Sequence, residues 1–224
     1  RDRLDVKSCM FNPGRAVDKW EERKFEIVSI ARWLSPVEQE DDDIVATADS
    51  SDRYNLISVS YSGQIRTKEI VASDSKYDRL YRVAAGDLVV SKINAVHGAI
   101  GIVPDDLENA VVTPSEYRVM KAKPDVDVRV VWMLLRSYEA RAEFLLRATG
   151  LGRTRVDWSS LASLRLPSPP PASAQQVADL LGRAEALEQE AARLRTHAAQ
   201  RLDEVLELNN DEALAIVQAF KPPD

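Results

Sequence analysis

The segment Ser91-Lys92-Ile93-Asn94-Ala95-Val96-His97-Gly98 brings a cation, a carboxamide and an imidazole onto one short loop that ends in glycine. Asparagine can pair bidentately with an adenine edge, and lysine can bond guanine or phosphate, so these residue types suit nucleic acid. As a plain polar connection between strands, the same residues would need no ligand. A second segment, Gly150-Leu151-Gly152-Arg153-Thr154-Arg155, sets two arginines and a hydroxyl behind the end of a helix. That is an arrangement for clamping phosphate. The alternative is a helix C-cap in which Arg153 offsets the helix dipole.

Catalytic constellations are harder to find. The only histidines are His97 and His197, and Cys9 is the only cysteine, so no His- or Cys-rich metal site is expected. There is no Gly-x-x-x-x-Gly-Lys-Ser/Thr loop, and Gly150-Leu151-Gly152 follows a helical rather than an extended segment. The Asn/Asp-Pro-Pro-aromatic segment by which amino-methyltransferases act on an extruded base is also missing. Asp87 and Lys92 flank one strand in the manner of a metal-dependent nuclease, but the second carboxylate such a site needs is absent at useful spacing. The chain therefore reads as a non-enzyme with no metal and no cofactor.

Composition sets the frame. At about 150 residues per domain, 224 residues make one globular unit plus an appendage, and 45% apolar with 29% charged residues is ordinary for a soluble folded chain. A single cysteine argues for a reducing, cytoplasmic setting. No stretch approaches the ~18 apolar residues of a membrane helix. The chain opens on Arg1 without an apolar leader and reads as a piece of a longer polypeptide. The net charge of −6 speaks against nucleic acid, but its distribution does not. Residues 38–52 hold seven acids and no base, whereas residues 53–101 hold seven lysines and arginines against four acids, and residues 136–165 hold six against three. An acidic total can thus conceal basic faces. Two ordinary solvated surfaces are the alternative.

These side chains need a scaffold. Residues 25–31 read as a first strand and residues 38–52 as an exposed acidic loop. From 54 to 117 come short β-branched runs bounded by glycine and proline turns, the texture of one mixed or strongly bent sheet. Residues 128–149 shift to helical spacing, and residues 158–166 read as one helical turn followed by an extended piece. Pro167-Ser168-Pro169-Pro170-Pro171 then marks a boundary, after which Ser173 opens a long helix. Along it Val177, Leu180, Ala184, Leu187, Ala191, Leu194, Ala198, Arg201, Val205 and Leu208 alternate spacings of three and four, the seam of a coiled coil broken only by Arg201. Thirty-five residues make a rod of about 52 Å, and one apolar stripe cannot bury itself. The stripe calls for a partner helix, in a homodimer or within the parent polypeptide, or for folding back on its own domain.

Several segments, in order, resemble the specificity subunits of type I restriction-modification systems. They are Arg3-Leu4-Asp5 with Asn12-Pro13, Tyr54-Asn-Leu-Ile-Ser with Gly63-Gln-Ile, and Ala85-Gly-Asp-Leu-Val-Val-Ser-Lys-Ile-Asn-Ala with Gly98-Ala-Ile-Gly-Ile-Val. Gly152-Arg-Thr-Arg, Leu166-Pro-Ser-Pro-Pro and Gln175-Gln complete the series. The resemblance implies an α/β target recognition domain with an α+β-like mixed sheet, reading one half of a split duplex-DNA site, followed by a coiled-coil spacer helix. It divides the chain into a recognition domain at 1–166, a proline-rich linker at 167–172, and the helix and tail at 173–224. A full subunit of this kind has two recognition domains and two helices, so one of each implies a half-subunit that dimerises or the tail of a methyltransferase fusion. The usual Pro-Leu-Pro and Glu-Gln before the helix stand here as Pro167-Ser168-Pro169 and Ala174-Gln175.

The resemblance further implies a DNA methyltransferase, and with it a restriction nuclease, as partners. It implies Lys92, Asn94 and His97 at base edges, Tyr61, Gln64 and Arg66 on the neighbouring hairpin, and Arg153, Thr154 and Arg155 on phosphate. The competing class is a coiled-coil adaptor without DNA. Because Leu187 lies in the seam, Leu187→Asp is expected to dissociate the dimer or partner, and an unchanged mass by light scattering would remove the coiled-coil assignment.

Overall fold

The computed structural model describes residues 20–38, 40, 43–47, 50–148 and 155–206. They fall into two compact units that divide between Gln175 and Gln176.

The first unit is a mixed α/β body built around one strand. β7 (Leu88–Ser91) is buried at every position, because its continuous apolar run is covered on both faces. It sits between β10 (Tyr117–Ala122) and β8 (Ile100–Ile102) in a four-stranded sheet of order β2-β10-β7-β8, with β2 (Leu34–Pro36) at the edge. The period of two sorts its side chains. Leu88 and Val90, with Met120 opposite, face one core, and Val89 with Val119 faces another.

Over the Leu88 face lie two helices, α1 (Val128–Leu135) and α2 (Tyr138–Arg147), which bury Val131, Leu135 and Phe144. α3 (Trp158–Ala162) and the two-stranded pair β1 (Glu26–Ser29) with β11 (Arg165–Ser168) close this core through Leu161, Leu164 and Leu166. On the Val89 side packs a five-stranded sheet of order β3-β6-β9-β4-β5. Its strands are β3 (Ile44–Ala46), β4 (Arg53–Val59), β5 (Ile65–Val71), β6 (Arg79–Arg82) and β9 (Ala110–Val112). β4 runs parallel to β9, and the other pairs are antiparallel. Ala110 and Val112 face β7, while Val111 points the other way into a small core with Val45, Tyr54 and Leu80.

The mixed sheet class expected from the sequence is present, but in three sheets rather than one. The acidic stretch 38–52 is not wholly loop: β3 lies within it, because Ile44-Val45-Ala46 alternates and sends Val45 inward to pair β3 with β6. The single helix expected over 128–149 is two. α1 ends at Arg136 and Ser137 starts α2, its hydroxyl accepting from the Ala140 amide at 3.2 Å. Pro167 and Ser168 belong to β11, which pairs with β1, and the long helix α4 (Pro171–Leu206) begins two residues before Ser173. Proline suits a first helical position, where its missing N–H has no partner to lose, and the Pro170 carbonyl accepts the first helical bond from Ala174 at 2.9 Å. In the second unit α4 continues through the seam residues up to Val205, and Leu208 lies outside the described residues. Val177 and Ala191 are half-buried, Ala184 and Ala198 are exposed, and Leu180, Leu187 and Leu194 are 63%, 68% and 52% exposed. The Val205 side chain lies outside the described ones.

Phe144 is fully enclosed between α2 and the four-stranded sheet. Phe144→Ala is expected to cost about 3–5 kcal/mol by chemical denaturation, through lost transfer energy and the cavity left behind.

Candidate nucleic-acid interface

Two loops meet at one end of the first unit. The turn between β4 and β5 is closed by Ser60, whose amide donates to the Gln64 carbonyl at 3.0 Å and whose hydroxyl accepts from the Gln64 amide at 3.1 Å. The connection from β7 to β8 contains a 3-10 turn, Ala95–His97, and leaves it through Gly98 at φ +93°. The Asn94 carbonyl accepts from the His97 and Ala99 amides, and the Ser91 hydroxyl accepts from the Asn94 amide at 3.0 Å.

Arginines from the helix break hold the loops together. Arg136 Nε donates to the Gly98 carbonyl at 3.2 Å and Nη2 to the Tyr61 carbonyl at 3.5 Å, while its guanidinium lies 4.6 Å from the Trp132 ring. Trp132 Nε1 in turn donates to the Ile100 carbonyl at 2.7 Å. Arg141 Nε donates to the Val96 carbonyl at 3.0 Å, and its guanidinium lies 5.5 Å from the Tyr138 ring. Burial, and then the neighbouring charge of Arg141, lower the pKa of Arg136. Close approach is possible because Gly63 has no side chain. A Cβ there would lie 2.8 Å from the Arg136 guanidinium and 2.8 Å from the Ile100 carbonyl, and the residue sits at φ +81°.

On this frame the Tyr61 and His97 rings stand with centroids 5.2 Å apart, tilted by 38°, and both residues are exposed. The Tyr61 hairpin and the His97 loop, expected to be neighbours, are in contact through these rings. Gln64 and Arg66 follow Tyr61, exposed on the turn and on edge strand β5, and Asn94 is half-buried without a cap bond from its side chain.

Lys92 is turned inward. Its ammonium donates to the Pro114 carbonyl at 2.5 Å, its amide donates to the Glu116 carbonyl, and its own carbonyl accepts from Val156. Burial lowers the Lys92 pKa, and the charges of Arg118 and then Arg155 lower it further. A second cationic group thus stands where the β7–β8 connection begins, with Arg136 and Arg141 where it ends. Arg153 and Thr154 lie outside the described residues, and Arg155 is exposed. At the other end of β7, Asp87 accepts from the Ala84 amide at 2.8 Å and is 5% exposed. Burial raises its pKa, against the lowering effect of that hydrogen bond. It closes a turn a full strand away from Lys92. Among the described residues, no group of three or more His, Cys, Asp or Glu is placed to hold a metal ion, and no helix is long and apolar enough to cross a membrane.

Arg136, Arg141, Tyr138 and Arg118 were not singled out in the sequence. The excess of bases over 136–165 was the available signal, but only the break at Ser137 aims two of them at the same loop.

No protein-family model matches the chain, and no curated protein does. Solved structures do. The crystal structure of the HsdS subunit from Thermoanaerobacter tengcongensis superposes with a TM-score of 0.55 at 19% identity, covering 81% of this chain and 47% of that one. A structure described as the basis of complex assembly and conformational transition of the type I R-M system gives 0.53 at 21% identity, covering 89% and 52%. The likeness is one of fold, and the chain spans about half the length of these structures.

Gly63→Ala combines a left-handed backbone with a clash and is expected to destabilise the chain by about 2–3 kcal/mol. Gly86→Ala, at φ +78° with nothing within 4 Å of the added carbon, carries the backbone strain alone and should cost about 1 kcal/mol. Equal losses of stability for the two in urea would remove the close approach of Arg136 as the reason for Gly63.

Proposed function

We propose, from a fold shared with the specificity subunits of type I restriction-modification systems, that the chain is a sequence-reading module of that kind. It recognises one half of a split duplex-DNA site and directs a DNA methyltransferase, and with it a restriction nuclease, to that site. It has no chemistry of its own and works in the cytoplasm, where its DNA is. The observation that carries this reading is the pair of loops held by Arg136. They present exposed polar and aromatic groups on rigid backbone, between two groups of cations.

Base edges are assigned to Tyr61, Gln64, Asn94 and His97, which stand on or beside the two loops and offer donors and acceptors of the kind that the major groove distinguishes. Phosphates are assigned to Arg66, Arg155 and Arg118, and to Arg153 and Thr154 next to Arg155. Lys92 belongs with the phosphate group, since its ammonium is held by the Pro114 carbonyl beside Arg118 and Arg155. Such positive clusters steer the duplex and fix register, and the loop side chains choose the sequence.

The test is selection from a random duplex library, with and without the methyltransferase partner, at two salt concentrations. An enriched half-site with a steep salt slope is expected. Asn94→Ala or His97→Ala should cost about 1–3 kcal/mol per lost base contact and relax the preference at one position. Arg118→Ala with Arg155→Ala should lower affinity evenly across sequences and flatten the salt slope by about 1 for each phosphate lost. No enrichment in either arm would favour the coiled-coil adaptor instead.

A further inference from the structure

Three cations gather where the β7–β8 connection begins, and they come from three separate segments. Lys92 follows the last residue of β7. β10, antiparallel beside β7, sets Arg118 opposite Val90, and alternation puts it on the face that Leu88, Val90 and Met120 share. Arg155 is brought in from far along the chain, because the amide of the buried Val156 donates to the Lys92 carbonyl at 2.9 Å.

Nothing of opposite sign answers them. The charges that act on Lys92 are those of Arg118 and then Arg155, both of its own sign. Among the described residues none of the three forms an ion pair, and residues 149–154, which lead into Arg155, contain no acid. Arg118 Nε is buried with no hydrogen-bond partner among the described residues. Lys92 gives one of its three donors to the Pro114 carbonyl and keeps two. Repelling cations and an unmatched buried donor are relieved together by one anionic acceptor.

The arrangement also fixes the kind of anion. Lys92 and Arg118 are half-buried and Arg155 is exposed, so a ligand enters past Arg155 and ends on the other two. Lys92 feels both arginines at once, so the three close around one compact group. Chloride offers a single centre and a carboxylate two oxygens in one plane, whereas a tetrahedral oxyanion turns oxygens toward donors from three directions. We propose that Lys92, Arg118 and Arg155 form a site for one tetrahedral oxyanion, inorganic phosphate, which binds this chain in the absence of DNA. The site stands without the DNA reading. Its consequence rests on that reading: the duplex backbone carries the same phosphoryl group, so free phosphate and DNA compete for these residues.

The test is calorimetric titration of the full-length chain with sodium phosphate and with sodium sulfate, at an ionic strength held constant with sodium chloride. Saturable binding of one anion per chain is expected. Arg155→Ala, at an exposed position, and Arg118→Gln should each weaken it by about tenfold or more, the loss of a charge-assisted bond. Arg79→Ala, exposed on β6, should leave it unchanged. Circular dichroism checks the fold of each variant, and Arg155→Ala decides the matter if Arg118→Gln does not fold. Absent binding, several equivalent anions per chain (an adventitious ion only), an unaffected Arg155→Ala or an equal loss in Arg79→Ala each overturns the proposal. With a random-sequence duplex, replacing chloride by sulfate at the sulfate dissociation constant should weaken DNA binding about twofold in the wild type and not in Arg155→Ala. Sulfate binding with unchanged duplex affinity supports the anion site and counts against the assignment of these residues to the DNA backbone. Duplex binding without a sulfate site overturns the proposal and leaves the DNA reading standing.

Discussion

The arrangement of the candidate interface depends on one guanidinium. Arg136 caps α1, lies against Trp132, and donates to the main-chain carbonyls of Tyr61 and Gly98, so it joins a turn of the five-stranded sheet to a connection of the four-stranded sheet. A hydrogen bond from a charged donor contributes about 1.5–3 kcal/mol, more than a neutral one. Gly63 and Gly98 supply the left-handed backbone and the missing side chains that let the loops approach, and beneath them Gly101 leaves out a Cβ that would lie 2.6 Å from the Ile65 side chain. Arg141, one turn into α2, repeats the device on Val96. Without the helix break at Ser137 the two arginines would not share a loop.

Behind this clamp the scaffold is stiff for an ordinary reason. β7 is buried on both faces, so each end of it is fixed by two cores at once, and the residues that leave it inherit that fixity. Loops on such a frame can expose polar groups at little cost in disorder, which is where binding residues concentrate. The charge distribution follows the same division. The chain is acidic in sum, at −6, while the described cations around the β7–β8 connection keep a local field that distant carboxylates cannot cancel beyond about 10 Å.

What could be read in the sequence was what depends on local pattern. β5, β7 and β9 lie within the stretch 54–117 that turn residues and β-branched runs mark as sheet, and the long seam of α4 is visible as spacing alone. β3 was hidden by its acidic flanks, and β2, β6 and β10 are short or mixed in polarity and acquire their strand character from their partners. At the site, the sequence placed Tyr61 on a hairpin neighbouring the His97 loop, but not the contact of the two rings. Their contact is made by Arg136, whose role is set by tertiary placement and leaves no mark in neighbouring residues. Lys92 shows the converse: its type suggests an exposed cation, yet two backbone contacts and a proline carbonyl turn it inward.

The clamp also separates geometry from identity. Arg136 and Arg141 bond to the carbonyls of Tyr61, Val96 and Gly98, groups that every residue possesses, and so they fix the loops without regard to most of the side chains the loops carry. Only the glycines are demanded, by backbone conformation and close approach. The side chains at 61, 64, 94 and 97 can therefore change while the loops keep their shape, since neither the three cores nor the arginine bonds require them. A surface meant to read different sequences on one fold needs that separation, and a surface meant for one fixed catalytic geometry would instead bind its functional side chains into the supporting network.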